Sequence, residues 1–354
     1  MSILRVQKIR HTASNTDVID IASDGTCRAN IVNNLSNRNL IINGAMGVAQ
    51  RATTNNTAGA SSTYKTLDRW MVQIQSGTIT ESQQDLATND TPYSLGFRKY
   101  MRLLNQSGIG AGNAQYVQID QRIEAQNVAQ SGWNYTSNSS FVTVSFWIRA
   151  SVTQSYVGVL QTADGTERHY PFEISLTADQ WTKVTKTIPG DSGITVNNDT
   201  GKGLTVSFIA YYGTNYTGGS GTFNAWNTTG SGLTRWPDMT TTWATTTNAT
   251  FDVTGVQLEV GSHATDMEFR TQHDELLRCF RYYYKIRANN VSYLPTTNSD
   301  GRSRLMWSFP VLMRANPSGS MSNYTLSTTR DGVTGYQSSS STDVLYDGTF
   351  SAEL

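Results

Sequence analysis

The residues of this chain that could do chemistry are few, and their spacing favours binding over catalysis. Its four histidines, His11, His169, His263 and His273, fall into none of the HxH, HExxH or HxxxH spacings of a zinc site. Cys27 and Cys279 stand far apart in different segments, which indicates neither a CxxC metal site nor a disulfide framework. No Gly-rich phosphate loop followed by Lys-Ser/Thr occurs, and no GxSxG elbow. Asn197-Asn198-Asp199 carries oxygen ligands suited to calcium, but without an EF-hand pattern a solvated turn is the favoured reading. No catalytic residue, metal or cofactor is expected.

Carboxylates offer two candidate clusters. Asp68-Arg69-Trp70 reads either as a ligand clamp or as a structural knot, and the knot is favoured. A buried Trp needs its indole N–H satisfied, and an Arg beside an Asp can form a charge-assisted pair at a sheet edge. Asp252 and Glu259 fall in opposite phases of one predicted strand, so a paired acid/base site is not expected and solvation or ion pairing is.

Aromatic residues are the stronger signal. Between Gly213 and Asn248, a long stretch of Gly, Thr, Ser and Asn carries Tyr216, Phe223, Trp226, Trp236 and Trp243. Loops beyond ~12–15 residues are usually functional or disordered, and the tryptophans argue against disorder. Tyr216, Trp226, Trp236 and Trp243 are the candidate contacts, stacking on sugar rings or on a neighbouring subunit while Asn, Ser and Thr bond hydroxyls. The competing reading pins this loop to its own domain by buried Trp side chains. Within Tyr282-Tyr283-Tyr284, one or two side chains are assigned to the core.

The elements that must position these residues are mostly strands. Tyr116–Ile119, Phe141–Ile148, Lys183–Ile188, Leu204–Tyr212 and Phe251–Val260 have strand length, β-branched and aromatic enrichment, and Gly, Asn, Asp or Ser boundaries. The last of them changes phase across Gly255, which predicts a β-bulge. Thr271 as N-cap, Asp274 near N3, and Leu276, Leu277, Phe280, Tyr283 and Tyr284 at helical spacing predict one helix over about residues 271–285. Its packing face is assigned to Leu276, Leu277 and Phe280. Strands at Val291–Leu294, Arg304–Val311, Ser320–Leu326 and Val344–Phe350 predict a small β module. The Asp24-Gly25 step predicts a hairpin between Val18–Ile21 and Cys27–Ile31. Val18, Ile19, Ile21 and Ile31 are too few to cover one another there, so this piece is expected to need a partner.

The expected class is all-β: a jelly-roll β-sandwich with a short N-terminal β anchor segment, one helix and a small C-terminal β module. The expected organisation is an attachment segment at 1–37, the sandwich at 38–265, a connecting helix at 266–288 and the module at 289–354. Lys+Arg and Asp+Glu both number 27 among 354 residues, so no net field draws the chain to nucleic acid or an anionic membrane. Nothing approaches the ~20 apolar residues of a membrane-spanning helix. Arg5, Lys8 and Arg10 open a segment without the apolar core of a signal peptide.

Two blocks carry a family resemblance. Asn39-Leu40-Ile41-Ile42-Asn43-Gly44-Ala45-Met46, with Gln50-Arg51 and Tyr64-Lys65-Thr66-Leu67-Asp68-Arg69-Trp70, resembles the opening of jelly-roll domains in phage tail-fibre and virion structural proteins. Val253-Thr254-Gly255-Val256-Gln257-Leu258-Glu259-Val260-Gly261, through Glu268-Phe269-Arg270 to Cys279-Phe280-Arg281-Tyr282-Tyr283-Tyr284-Lys285, resembles the closing strand and following helix of the same proteins. The Phe309–Pro317 stretch resembles their terminal part, and residues 1–37 resemble attachment segments of some marine-phage fibres. The resemblance implies a carbohydrate-binding-module-like sandwich, frequently in trimeric appendages. The expectation is a non-enzymatic component of the virion, a tail-fibre subunit that binds host cell-surface polysaccharide. It would dock on other virion proteins through its N-terminal segment and form a homotrimer. A capsid decoration protein or head fibre is the alternative. A polysaccharide depolymerase is a third reading, and the chain lacks the β-helix repeats usual in such enzymes.

Overall fold

A computed structural model describes residues 6–10, 12–13, 19–21, 23, 27–29, 37–219, 221–228, 235–286, 296–297, 303–322, 324–337 and 347–354. Three short strands come first, β1 (Lys8–Ile9), β2 (Ile19–Ile21) and β3 (Cys27–Ala29). The central body contains β4 (Thr54–Ala58), β5 (Ser61–Thr63), β6 (Met71–Ile74), β7 (Thr78–Asp85), β8 (Lys99–Asn105), β9 (Tyr116–Glu124) and β10 (Phe141–Ala150). It continues with β11 (Gln154–Thr162), β12 (Arg168–Leu176), β13 (Thr182–Pro189), β14 (Lys202–Tyr212), β15 (Asn227–Thr228) and β16 (Ala249–Val260). Short helices α1 (Thr91–Ser94), α2 (Ala125–Ala129) and α3 (Thr242–Thr245) interrupt them, and α4 (Gln272–Phe280) follows. The remaining strands are β17 (Tyr283–Ile286), β18 (Thr296–Thr297), β19 (Ser303–Ser308), β20 (Ser318–Met321), β21 (Thr325–Thr328), β22 (Gly332–Gln337) and β23 (Gly348–Ser351).

The protein is all-β, with a jelly-roll sandwich at its centre. One sheet runs β13-β10-β16-β8-β7-β4 and the other β15-β12-β11-β14-β9-β6-β5, and the chain passes repeatedly from one to the other. Alternation along the strands creates the core: Val142, Val144, Phe146 and Ile148 of β10 point inward against Val206 and Phe208 of β14 and Phe172 of β12. Phe146 meets Phe208 edge-on at 4.6 Å between ring centres, so the sheets touch through aromatic contacts.

The predicted bulge is present. Ser145 pairs with Gln257 and Trp147 with Thr254, leaving Gly255 and Val256 opposite the single residue Phe146. Gly255 has φ +62°, a left-handed conformation that favours glycine. Residues 39–48 fold onto this bulge. Asn39 donates its amide to the Val256 carbonyl at 3.2 Å and accepts from the amides of Ile41 and Leu258, both at 3.0 Å. Asn43, at φ 60°, bonds the carbonyls of Val48 (2.8 Å) and Asp68 (2.9 Å) and receives the Val48 amide. A Cβ on Gly44 would collide with the Val256 carbonyl oxygen.

Helix α4 is shorter than the spacing predicts. Thr271 caps it, accepting from the Asp274 amide at 3.2 Å, but it ends at Phe280. Tyr283 and Tyr284 leave the helix for β17, which pairs with β23 in the sheet β17-β23-β20. Cys279, not Leu277, is the buried helical residue; Leu276, Leu277 and Phe280 are half-buried. That corrects the packing face, because Leu277 borders an open groove with Val311 and Leu312. A second core, around Phe350, Met313 and Val333, lies in this last part of the chain. There β18-β19-β22-β21 form another antiparallel sheet. Of the strands expected in this part, Val291–Leu294 lies outside the described residues. Ser320–Leu326 is divided between β20 and β21, and β22 is additional.

Arg314 ties this part to the sandwich, donating to the carbonyls of Ala352 (2.7 Å), Glu353 (2.9 Å) and Thr200 (3.0 Å). Arg281 makes a two-pronged pair with Glu124 at 2.6 and 2.7 Å.

Gly255→Val tests the bulge, since it forces a β-branched residue to positive φ and sets a Cβ 2.8 Å from the Phe97 ring. The expected cost is about 2–4 kcal/mol in chemical denaturation. Unchanged stability would show that the bulge does not need glycine.

Candidate functional site

The site grows from β9, where Gln118, Asp120 and Arg122 alternate with the core residues Val117, Ile119 and Ile123. The polar set therefore lies on the outer face of its sheet. Register extends the surface sideways: Gln118 stands opposite Gln73 of β6 and Ile209 of β14, Asp120 opposite Ser207, and Arg122 opposite Thr205. Gln161 of β11 lies beyond Thr205. One end of this face is thus polar. The other, with Ile209, Val157 and Val159, is apolar.

The segment after Gly213 returns to roof the apolar end. Trp236, 1% exposed, stacks on Tyr212 at 5.3 Å and meets His169 edge-on. Trp236 also packs on Val157, Val159 and Ile209, with Phe223 and Met239 beside it. Two backbone bonds hold the returning segment, from the Arg235 amide to Tyr216 and from the Gly218 amide to Trp236.

Where the roof stops, an open groove of about 300 Å³ remains. Tyr116, Tyr212 and Tyr216 form its aromatic side, with ring centres 5.4–5.7 Å apart. Tyr212 is buried and gives its hydroxyl hydrogen to Gln118, whereas Tyr116 and Tyr216 are half-buried. Asp120 lies at the floor, 2% exposed, accepting from the amides of Gln118 (2.8 Å) and Gln73. Its second oxygen, Oδ1, is buried without a hydrogen-bond partner, an acceptor that an incoming donor would satisfy. Burial raises the Asp120 pKa, while its polar neighbours, Ser207 and then Gln73, oppose that rise. Arg122, Lys202 and Arg235 supply positive charge along the same groove.

The four aromatics singled out from the sequence are dispersed. Tyr216 opens on the groove and Trp236 forms its neighbouring roof. Trp226 lies apart, its indole donating to the Pro189 carbonyl at 2.7 Å and its ring meeting Tyr170. Trp243 is fully buried in the main core and donates to the Thr250 carbonyl at 3.0 Å. With no exposed face, Trp243 can stack on neither a sugar nor a neighbouring chain. Burial of large apolar rings thus dominates at two of the four positions, Trp236 and Trp243.

Asp68, Arg69 and Trp70 are buried to 1% exposure or less. The pairing predicted between Asp68 and Arg69 is replaced by two others. Arg69 pairs with Glu353 and covers the Tyr282 ring at 3.5 Å, and Asp68 accepts from Gln50 with Arg51 at 3.8 Å. Trp70 donates to the Asn43 carbonyl at 2.9 Å. Asp252, fully buried, lies between Arg102 (2.8 Å) and Arg149 (3.0 Å). Glu259 receives the Thr265 amide at 2.7 Å and is likewise buried, not solvated. Among the described residues no group of three or more His, Cys, Asp or Glu side chains could hold a metal ion. In the N-terminal segment Ile19 is half-buried and Ile21 is 37% exposed, while Val18 and Ile31 lie outside the described residues.

Gln73, Gln118, Asp120, Arg122, Lys202 and Arg235 were not among the sequence candidates. For Gln118, Asp120 and Arg122 a signal was present in Tyr116–Glu124, where polar residues at every second position continue a strand whose apolar start ends at Ile119.

No protein-family model matches the chain, and no curated protein matches it in sequence. Solved structures with partial likeness include a protein described as sugar binding from Bacteroides thetaiotaomicron VPI-5482. It shares 13% identity over 63% of this chain and 100% of that one, with a TM-score of 0.33. A CBM4 structure shares 12% over 62% and 98%, with a TM-score of 0.29. A Stig cyclase from Fischerella sp. TAU shares 10% over 66% and 98%, with a TM-score of 0.34. At these identities and scores none of them says what this chain binds.

Because the folded protein holds the Asp120 proton more firmly than the unfolded chain, the stability this group contributes is fully present below its ordinary pKa of 3.8. It is lost as pH rises through the folded value. Asp120→Asn, which cannot ionise, is expected to melt higher than the parent at neutral pH, with the difference closing toward acid. A parent-minus-variant Tm difference independent of pH would contradict the burial effect.

Proposed function

We propose that this chain is a structural component of a bacteriophage particle, a tail-fibre subunit that attaches to host cell-surface glycan through the groove on its outer sheet face. The observation that carries the binding part is the pairing of a half-buried tyrosine side with a floor of amides, a carboxylate and guanidinium groups. Sugar rings have apolar C–H faces that stack on tyrosine, and their hydroxyls both donate and accept. Asp120, with its free oxygen, and the Gln and Arg side chains meet both needs. Binding without hydrolysis is favoured because Asp120 is the lone carboxylate among the described residues that line the groove, whereas most glycosidases use a carboxyl pair.

The virion role is supported by the two blocks that resemble phage fibre proteins. They bear on one another physically, since Asn39 of the first bonds Val256 and Leu258 of the second. The trimer is supported by the sheet β1-β2-β3, whose Ile9 and Ile21 are 47% and 37% exposed, apolar surface that a partner chain would cover. The N-terminal segment would then serve both assembly and docking on the particle.

Tyr116→Ala and Tyr216→Ala are each expected to weaken binding of purified host surface polysaccharide about 5–30-fold, the equivalent of 1–2 kcal/mol of stacking. Trp226→Phe, away from the groove, should leave it unchanged in the same calorimetric titration. Equal affinity in all variants would remove the groove from the function. For assembly, light scattering should give a trimer for the full chain and a smaller species for a variant beginning at Asn39. A stable full-length monomer would eliminate the trimer. Immunogold labelling of intact particles with antibody to residues 303–354 tests the location, and unlabelled fibres would remove this chain from the tail.

A further inference from the structure

Two of the cations that line the groove, Lys202 and Arg235, are not drawn into an ion pair among the described residues. Elsewhere in the protein the guanidinium groups of Arg69, Arg102, Arg149, Arg270 and Arg281 each meet a carboxylate. Arg314 and Arg330 meet carbonyls instead, and the groove also departs from that pattern. Arg122 is already engaged, donating to the Leu354 main-chain oxygen at 2.6 Å. Lys202 and Arg235 make no ion pair among the described residues, and the Arg235 Nε is buried with no hydrogen-bond partner. Asp120 is held by the amides of Gln118 and Gln73. Glu167 is the other acid whose field reaches Lys202.

We propose that the groove takes an acidic glycan, whose sugar carboxylate or sulfate lies over Lys202 and Arg235 while a ring of the same chain stacks on Tyr116 and Tyr216. This rests on the glycan-binding reading and names the class of sugar. Lys202 and Arg235, unpaired in one recess, present N–H donors and positive charge that a ligand anion would meet. Burial, together with the fields of Arg122 and Arg235, already makes Lys202 give up its proton more easily than usual. An anion placed there relieves that mutual repulsion. The unbonded Arg235 N–H gains an acceptor, and Asp120 Oδ1 remains available to a sugar hydroxyl.

Calorimetric titration of the full chain in about 50 mM NaCl, where screening is modest, tests this with matched polymers. Alginate, polygalacturonate and hyaluronan are each compared with the carboxyl-reduced polymer, and dextran sulfate with dextran. At least one acidic polymer should bind, and neutralising it should weaken binding about tenfold or more. Whether the carboxylate or the sulfate pair shows that loss identifies the source of the anion. Lys202→Gln and Arg235→Gln should each lower affinity for the acidic form about 5–20-fold, roughly one charge-assisted bond, with Tm little changed. Equal binding of charged and neutral members overturns the acidic preference while leaving glycan binding intact. Acid-dependent binding that survives both charge substitutions, or Tyr116→Ala, puts the anion elsewhere and overturns the site. If no polymer of either kind binds, the glycan reading fails and this inference falls with it.

Discussion

A buried asparagine amide holds the two ends of the sandwich together. Asn39 spans the bulge of β16, giving a hydrogen to Val256 and taking one from Leu258, while Leu40 adds a backbone bond to Leu258. Asn43 performs the same service one turn later, linking Val48 and Asp68. Its own carbonyl receives the Trp70 indole. The side-chain bonds of Asn39 and Asn43 and the Trp70 indole bond are buried, and an unpaired buried donor or acceptor costs about 1–3 kcal/mol. The network is therefore complete or strongly unfavourable, and its completion needs glycine at two places. Gly44 lets the backbones approach, and Gly255 supplies the left-handed turn.

The same demand for satisfied polar groups explains the division of the outer sheet face. Ile209, Val157 and Val159 cannot face water cheaply, so a long Gly- and Thr-rich segment carries Trp236 back to cover them. Gln73, Gln118 and Asp120 need no apolar roof because they bond one another. The groove is what remains where the roof ends. Its depth comes from the covered apolar half, and its chemistry from the uncovered polar half.

Much of the sandwich was legible in the sequence because its central strands are long and apolar on the inner face, as Phe141–Ala150 and Lys202–Tyr212 show. Thr54–Ala58 and Thr78–Asp85 were not, since TNNTA and TITESQQD lack that enrichment and depend on neighbouring strands for their shape. The helix was read too long for the opposite reason. Tyr283 and Tyr284 continue the helical spacing of Leu276 and Phe280, but pairing with β23 holds them extended. The groove escaped notice because its members lie on β6, β9, β11 and β14, and only sheet register brings them side by side. Tryptophan drew attention to the loop, and burial then claimed it.

The Asn39–Val256 contact joins residues 217 positions apart, and the Arg51–Glu353 pair joins residues 302 positions apart. On the ribosome such partners do not coexist. At about 5–20 residues per second, Asn39 emerges some ten to forty seconds before the carbonyl that its amide must meet. The opening segment spends that interval with its polar groups in water and its apolar residues uncovered. The sheets therefore cannot close progressively from the first strand onward. Final closure is a late event, set in time by the arrival of β16.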